Sequence, residues 1–357
     1  MKNVKRILAL VSATVMTATA LSSCSLNFGK DEGPVTIEKK QTEKIERLPG
    51  IAVWGGSMGY GAYGEGKSIT RTIENHMMDD ECYIPIANMA VPQETTCTIM
   101  ARAGAVDLLV KEFIIPEGIE QVEVKIYAAD GSTVAPLRYG TRWDGGMTNV
   151  TIAGVEGALS IDENTMNFEN PVYYFIRNSE GESVHVEEGE KVISDSMTEY
   201  TDYIPVICMG DHGGWTSFEQ LIEQQQAIID TSSNSDKFLI VGLFSVPLTE
   251  EQLQSVADDD EAKEELIRKN NEEFDKAMEK KWGDHYVNAR ESLCSNVALE
   301  KLQNADVSVS IQDKIDMSKG VVPNALKHDA NTLNNYGYDI VGDAVYQKLV
   351  ALGYLYN

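Results

Sequence analysis

The strongest constraint on the fold is an alternation of apolar and amphipathic runs that is interrupted once by a long stretch without helical periodicity. Residues 51–54 form a continuous apolar run, as in a buried parallel strand, and 68–78 repeat apolar residues at helical spacing. The pattern then predicts a second strand at 83–91 and a second helix at 95–110. Between 113 and 203 there are only short alternating runs separated by turn residues, which predicts strands.

Alternation resumes after the strand-rich stretch. An apolar run at 203–210 precedes a helical pattern at 218–230 and a further apolar run at 237–244. The acidic segment 249–281 is typical of a solvated helical face, 285–292 favours one more strand, and 338–354 predicts a closing helix. Strands and helices that alternate on both sides of a β-patterned stretch predict an α/β protein with a mostly parallel sheet flanked by helices.

The first residues predict where the chain is located. Lys2, Lys5 and Arg6 precede an apolar run at 7–21, which is too short and too rich in Ser and Thr for a good membrane-spanning helix. The run ends in L-S-S-C, which resembles the lipobox of bacterial lipoproteins and would make Cys24 the lipidated first residue. The alternative is an ordinary signal peptide with a chance cysteine. We expect a lipid-anchored, extracytoplasmic protein of the cell membrane, facing the cell surface or the periplasm.

These patterns divide the chain into five segments. The expected divisions are a signal peptide at 1–23, the lipidated cysteine and a flexible tether at 24–48, the first part of the α/β domain at 49–112, an inserted β-rich subdomain at 113–203, and the second part of the α/β domain at 204–357 with the acidic helical segment 249–281.

Charge excludes several classes of partner. The chain has 30 Lys+Arg and 56 Asp+Glu, and removal of residues 1–23 leaves 27 basic residues against 56 acidic ones, a net charge of −29. Such an acidic body would repel nucleic acid, and it would also repel an anionic membrane surface. Cys82, Cys97, Cys208 and Cys294 form no C-x-x-C pair, so no structural zinc is expected. Their spacing defines no disulfide, and we expect mostly buried thiols.

The glycine-rich segment 54–68, WGGSMGYGAYGEGKS, matches two nucleotide motifs that we reject. A P-loop pattern at 61–68 begins seven residues beyond Trp54, contains Glu65, and would face a compartment without ATP. A dinucleotide pattern at 59–64 lacks the acidic residue expected at the end of the second strand. We therefore expect no nucleotide and no cofactor.

The same segment places Ser57 directly after the first predicted strand. A serine at the carboxyl end of a parallel strand lies where open α/β sheets bind ligands, and a following helix N-terminus favours developing negative charge. Ser57 is therefore a candidate nucleophile, and the alternative is a loop serine that caps a turn.

Four ordered blocks carry a resemblance to a known family. They are VWGGSMGYGAYG at 53–64, NMAVPQETTCTIMARAGA at 88–105, IPVICMGDHGGW at 204–215 and HDANTLNNYGYDIVGDAVYQKL at 328–349. Together they make the body after the tether resemble the SGNH, or GDSL-like, hydrolases, especially bacterial members with a β domain inserted after the second block. The resemblance implies a flavodoxin-like, three-layer α/β/α sandwich interrupted by an all-β subdomain.

The resemblance also implies site residues, and the blocks depart from the family pattern. Ser57 would be the nucleophile, and Asp329 would be the acid that orients the base. Four positions differ from the family pattern: Gly56 stands for its Asp, Pro92–Gln93 for its glycines, His212 for its Asn, and Thr332 for its catalytic His. Without a base, a serine hydroxyl is a weak nucleophile, and Pro92 has no N–H to donate to an oxyanion.

His212 is the candidate replacement base, because the family position that it occupies faces the serine. Asp211 would support it, and the side chain of Gln93 or of His212 would still donate to an oxyanion. The remaining histidines are expected to be structural, exposed or distant from the site: His76, His185, His285 and His328.

Two functions remain open on the sequence. The first is a catalytically impaired relative that binds a glycan or an acylated ligand in the ancestral esterase cleft. Its aromatic contacts would come from Trp54, Tyr60, Tyr63 and Trp215, although these side chains could equally be core or rim residues. The alternative is an active serine esterase or deacylase that removes O-acyl groups from carbohydrates, with Ser57 and His212. Neither function requires a metal.

Overall fold

The computed structural model describes residues 48–131, 149–162, 164, 171–257 and 259–355. The expected signal peptide, Cys24 and the tether up to residue 47 lie outside the described residues.

Strands alternate with helices on either side of a strand-rich segment. The strands are β1 Ile51–Gly55, β2 Ile86–Asn88, β3 Leu108–Val110, β4 Phe113–Ile115, β5 Gln121–Val124, β6 Ile126–Ala128, β7 Val150–Ile152, β8 Val155–Ile161, β9 Tyr173–Arg177, β10 Val184–Val186, β11 Val192–Ser194, β12 Ile204–Cys208, β13 Leu239–Val241 and β14 Tyr286–Val287. The helices are α1 Ser57–Tyr60, α2 Ile69–Asp79, α3 Thr96–Arg102, α4 Ser196–Glu199, α5 Phe218–Thr231, α6 Glu250–Ser255, α7 Asp260–Trp282, α8 Ala289–Leu293, α9 Asn296–Asn304, α10 Ile311–Ser318 and α11 Asn335–Ala351.

The protein is mixed α/β and is built on a five-stranded parallel sheet. Its strand order is β14-β13-β12-β1-β2, and every neighbouring pair is parallel. The register pairs Ile51 with Ile204 and Gly55 with Cys208, so β1 and β12 end side by side. Because loops that follow adjacent parallel strands emerge at the same edge, the segments after β1 and β12 meet there.

Successive side chains of β1 enter two different parts of the core. Ala52 and Trp54 belong to a cluster with residues of α3, α5 and α7, whereas Ile51 and Val53 belong to a cluster with residues of α2, α8, α9 and α11. All five residues of β1 are buried, as expected for a parallel strand that is covered on both faces.

The strands between β3 and β11 pair antiparallel. Five of them form a sheet in the order β11-β7-β8-β9-β5, and two further pairs join β10 with β4 and β3 with β6. The burial of β8 and β9 alternates along the strand, as in a sheet with one face on a core.

The helix predicted at 95–110 is too long. α3 ends at Arg102, Gly104 adopts a φ of +77°, and residues 108–110 form β3. A left-handed residue directly after the last turn ends a helix. The apolar run that follows is instead used in pairing with β6, because a short apolar run fits a strand as well as a helix.

Two later predictions also need correction. The segment 249–281 is not only a solvated face, because the last turns of α7 bury Phe274, Met278 and Trp282 in the core. The strand expected at 285–292 is limited to β14, and α8 follows it. None of the described helices is both long enough and apolar enough to cross a membrane.

Candidate active site

Ser57 lies at the turn between β1 and α1. Two glycines precede it because the backbone passes close to the segment after β12. A Cβ on Gly55 would lie 2.1 Å from the carbonyl oxygen of Cys208, and a Cβ on Gly56 would lie 2.6 Å from Oδ1 of Asp211. Ser57 is 3% exposed, so its hydroxyl faces the packed carboxyl edge of the sheet.

His212 reaches Ser57 from the loop that follows β12. Its Nε2 lies 2.7 Å from the Oγ of Ser57, although 155 residues separate the two along the chain. The imidazole is 30% exposed, so it borders both the serine and solvent. Among the described residues, none hydrogen-bonds the Nδ1 of His212. A hydroxyl and an imidazole at this distance can exchange a proton.

Asp211 supplies a buried carboxylate next to this pair. Its Oδ2 accepts the backbone N–H of Met58 at 3.0 Å and lies 3.8 Å from the Nε2 of His212. Burial raises the pKa of the Asp211 carboxyl, while the His212 imidazole and the amides of Met58 and Ser57 oppose that rise. When ionised, this carboxylate stabilises a positive charge on His212.

Gln93 contributes its backbone amide. The N–H of Gln93 donates to the Oγ of Ser57 at 3.0 Å. Gln93 has a φ of +65°, a conformation that favours glycine, at a position where the family pattern has a glycine. The sequence analysis expected the side chain of Gln93 or of His212 as a donor; the structure adds the backbone N–H of Gln93, which points at Ser57.

Asp329 does not orient the imidazole, contrary to the expectation. Its Oδ1 accepts the backbone N–H groups of Asn331 and Thr332, each at 2.8 Å. Hydrogen bonds from Thr332 and from the Asn331 amide lower the pKa of Asp329. Thr332 is buried, and its carbonyl oxygen accepts the amide of His328 at 2.9 Å. Both residues serve the turn before α11 rather than His212.

The four candidate aromatic contacts have different surroundings. Trp54 is 5% exposed and packs beside the guanidinium of Arg102, so the expectation that it offers a face to a ligand is wrong. Trp215 is partly buried; its Nε1 donates to the carbonyl of Gly210 at 2.9 Å. Tyr60 and Tyr63 are 37% and 61% exposed. The ring of Tyr63 stacks on His328 with the ring centroids 4.4 Å apart.

The other histidines make contacts of their own. His76 hydrogen-bonds Asp343 at 2.7 Å, His285 stacks on Phe238, and His185 is a half-exposed residue of β10. The four cysteines in the described residues form no disulfide; Cys208 is buried, and Cys82, Cys97 and Cys294 are partly buried.

Tyr338, on α11, is a neighbour of the site that the sequence analysis did not single out. Its hydroxyl donates to the carbonyl oxygen of Ala62 at 3.0 Å and lies 3.4 Å from that of Ser57. The residue is fully buried, so it supports the turn from beneath. The only sequence signal was the apolar spacing of the closing helix, which predicts burial but no partner.

Comparisons of the chain with protein-family models, with curated proteins and with solved structures find no match. Among the described residues, no group of three His, Cys, Asp or Glu side chains is arranged to bind a metal ion.

Proposed function

We propose that this protein is a serine ester hydrolase in which Ser57 is the nucleophile and His212 is the base. The observation that carries the proposal is the 2.7 Å contact between the Oγ of Ser57 and the Nε2 of His212. It favours the active esterase over the impaired binder, because it supplies the base whose loss at Thr332 was the main objection to activity.

The reaction follows from these positions. The Oγ of Ser57 attacks the ester carbonyl carbon while its proton passes to the Nε2 of His212. The tetrahedral oxyanion collapses, and the alcohol leaves with the proton from His212. Water then attacks the acyl-serine and gives its proton to His212. Collapse of this second oxyanion releases the carboxylic acid and returns the proton to the Oγ of Ser57. The Gln93 N–H, which lies 3.0 Å from the Oγ of Ser57, donates to each oxyanion.

The carboxylate near His212 is placed differently from the carboxylate of a Ser-His-Asp triad. The carboxylate of Asp211 lies 3.8 Å from Nε2, the nitrogen that also contacts the serine. We propose that Asp211 stabilises the imidazolium electrostatically and does not orient the ring through Nδ1. Such an arrangement supports a slower enzyme than a complete triad, because no residue in the described part of the chain holds the tautomer of His212 through a hydrogen bond to Nδ1.

The wider assignments belong to the same proposal. We propose the SGNH-like three-layer α/β/α sandwich, with the β-rich segment 113–203 as its inserted subdomain. The two core clusters on either side of β1 support it. We also propose lipid anchoring through Cys24, an extracytoplasmic location, and O-acylated glycans as substrates. Metabolic labelling with a palmitate analogue, compared between the wild type and Cys24→Ala, tests the anchor.

The activity is tested with the purified mature protein on p-nitrophenyl acetate and acetylated xylan. Ser57→Ala and His212→Ala should each reduce turnover to the background rate. Ser233→Ala, which removes an exposed hydroxyl far from the carboxyl edge of the sheet, is the matched control and should keep the wild-type rate. A wild-type rate equal to that of Ser57→Ala on both esters would refute the enzyme.

The second candidate function is binding without hydrolysis. The observation that favours it is the exposed Tyr63 ring, which stacks on His328 and resembles the flat platforms that bind sugar rings. Under this hypothesis acetylated xylan oligomers bind to the protein and remain acylated. Calorimetric titration of wild type and Tyr63→Ala with these oligomers, followed by measurement of released acetate, separates the two functions.

A further inference from the structure

The conformation of Gln93 raises the question of what holds its N–H on Ser57. A non-glycine residue with a φ of +65° is strained and persists only where its surroundings determine it. The residue lies between β2 and α3, in a loop that follows Pro92. Its neighbours in sequence and space must therefore supply the constraint.

The constraint comes from a buried ion pair. Glu94, the next residue, accepts the Nε of Arg102 through its Oε2 at 2.7 Å, and both side chains are 0% exposed. The same guanidinium donates through Nη1 to the carbonyl oxygen of Met89 at 2.6 Å. The side chain of Arg102, on α3, therefore hydrogen-bonds both ends of the segment 89–94, and Gln93 lies inside that segment.

The ion pair is also attached to the strand that carries the nucleophile. The guanidinium carbon of Arg102 lies 5.8 Å from the centroid of the Trp54 ring, at the end of β1. The carbonyl oxygen of Arg102 accepts the hydroxyl of Ser196 at 2.9 Å. The position of Arg102 is therefore fixed relative to β1, and Glu94 transmits that position to the neighbouring Gln93 amide.

A second contact couples the same loop to the base. The N–H of Thr96 donates to the carbonyl oxygen of Gly213 at 3.0 Å, and its hydroxyl donates to that of Gly214 at 2.8 Å. The segment from Glu94 to Thr96 therefore bridges the donor amide and the loop that carries His212.

A purely stabilising role is a poor explanation for this pair. Two charges that are fully removed from water regain little net stability, and apolar residues of similar volume often serve as well. In some proteins buried polar or charged groups instead fix one conformation among several. Here the fixed conformation is the left-handed turn at Gln93.

We propose that Glu94 and Arg102 are positioning residues of the esterase: they hold the Gln93 N–H at the oxyanion. The inference rests on the proposed hydrolase function. A donor held in advance stabilises the oxyanion in the transition state without binding the ground-state ester more tightly. Loss of the pair then lowers kcat and leaves KM nearly unchanged.

The test is a neutral, volume-matched double variant, Glu94→Gln with Arg102→Met, assayed on p-nitrophenyl acetate beside the wild type. We expect kcat to fall about 10- to 100-fold with KM within about twofold, since loss of a single oxyanion donor costs about 10²–10³-fold. Arg102→Lys keeps the positive charge but loses the pair of guanidinium hydrogen bonds to Glu94 and Met89. Its kcat should therefore lie between those of the wild type and the double variant. Fluorophosphonate labelling of Ser57 should slow in parallel, because it also places charge on an oxygen beside the serine.

The control is a second buried ion pair, Asp275 with Arg290, in the double variant Asp275→Asn with Arg290→Met. Arg290 follows β14, and β14 lies three strands, or about 14 Å, from β1 in the sheet. The control variant should change the unfolding midpoint and leave kcat unchanged.

The outcomes separate the two claims. If the wild type shows no Ser57-dependent turnover or labelling, the proposed hydrolase function and this inference are both overturned. An active wild type whose kcat is unchanged in Arg102→Lys and in Glu94→Gln overturns the positioning role alone. If the double variant does not fold, these two single variants decide the matter. A rise in KM at constant kcat in either of them also overturns the positioning role.

Discussion

The close approach of Gly56 to Asp211 gives a prediction with a magnitude. In Gly56→Ala the new Cβ would lie 2.6 Å from Oδ1 and 3.3 Å from Cγ of Asp211. The φ of Gly56 is −94° and its ψ is −141°. We therefore expect the carboxylate to move away from the N–H of Met58.

The cost follows from the contact that is lost. A hydrogen bond to a charged group contributes about 1.5–3 kcal/mol. We expect the free energy of unfolding to fall by about 1.5–3 kcal/mol, measured by urea denaturation. We also expect the esterase rate to fall, since the displaced carboxylate lies against His212.

The control is the same substitution in a protein without the carboxylate. In an Asp211→Ala background the new Cβ has no carboxylate to displace, and Gly56→Ala should cost about 1.5–3 kcal/mol less than it does in the wild type. The double-mutant cycle therefore predicts a coupling of about 1.5–3 kcal/mol between the two positions. An equal cost of Gly56→Ala in both backgrounds would refute the reasoning.

Three further predictions address the base, the carboxylate and the support of the turn. His212→Asn should lower kcat about 10²–10⁴-fold, while His185→Asn keeps it; equal rates for the two variants would exclude His212 as the base. Burial raises the pKa of Asp211 above its ordinary value of 3.8, so the stability that its neutral form provides is complete below that value and is lost as the pH rises through the raised pKa. Asp211→Asn should thus gain urea resistance relative to the wild type between pH 4 and pH 7; a constant difference would contradict this. Tyr338→Phe should cost about 1 kcal/mol of unfolding free energy, as it loses the bond to Ala62; an unchanged midpoint argues against that bond.

The position of Ser57 after β1 could be predicted from local sequence, whereas its hydrogen-bond partners could not. An apolar run followed by two glycines and a serine predicts a strand, a tight turn and a helix N-terminus. No local signal joins Ser57 to His212, because only the pairing of β1 with β12 brings them together. The resemblance of the four blocks to a known family suggested that His212 faces Ser57.

The same resemblance failed at Asp329 for a local reason. In the sequence D-A-N-T an aspartate can accept the backbone amides two and three residues ahead of it, and this turn satisfies the carboxylate of Asp329. The carboxylate near the base comes instead from Asp211, which occupies the space that the missing side chain of Gly56 leaves open. Family roles assigned to one residue at a time could not predict that the carboxylate near His212 would come from a different block of the sequence.

Trp54 and the second helix illustrate the limits of periodicity. A tryptophan in a strand covered on both faces belongs to the core, however near it lies to a serine. The apolar run at 108–110 fits either class of structure, and its partner strand decides between them.

The separation of Ser57 from His212 has a consequence for the newly made chain. At about 5–20 residues per second, a ribosome adds His212 roughly 8–30 s after Ser57. For most of that interval the edge of β1 that will pair with β12 has no partner. A chain interrupted before residue 204 would therefore present an apolar strand with unpaired backbone N–H and C=O groups along this edge, the kind of surface that pairs with other chains and aggregates.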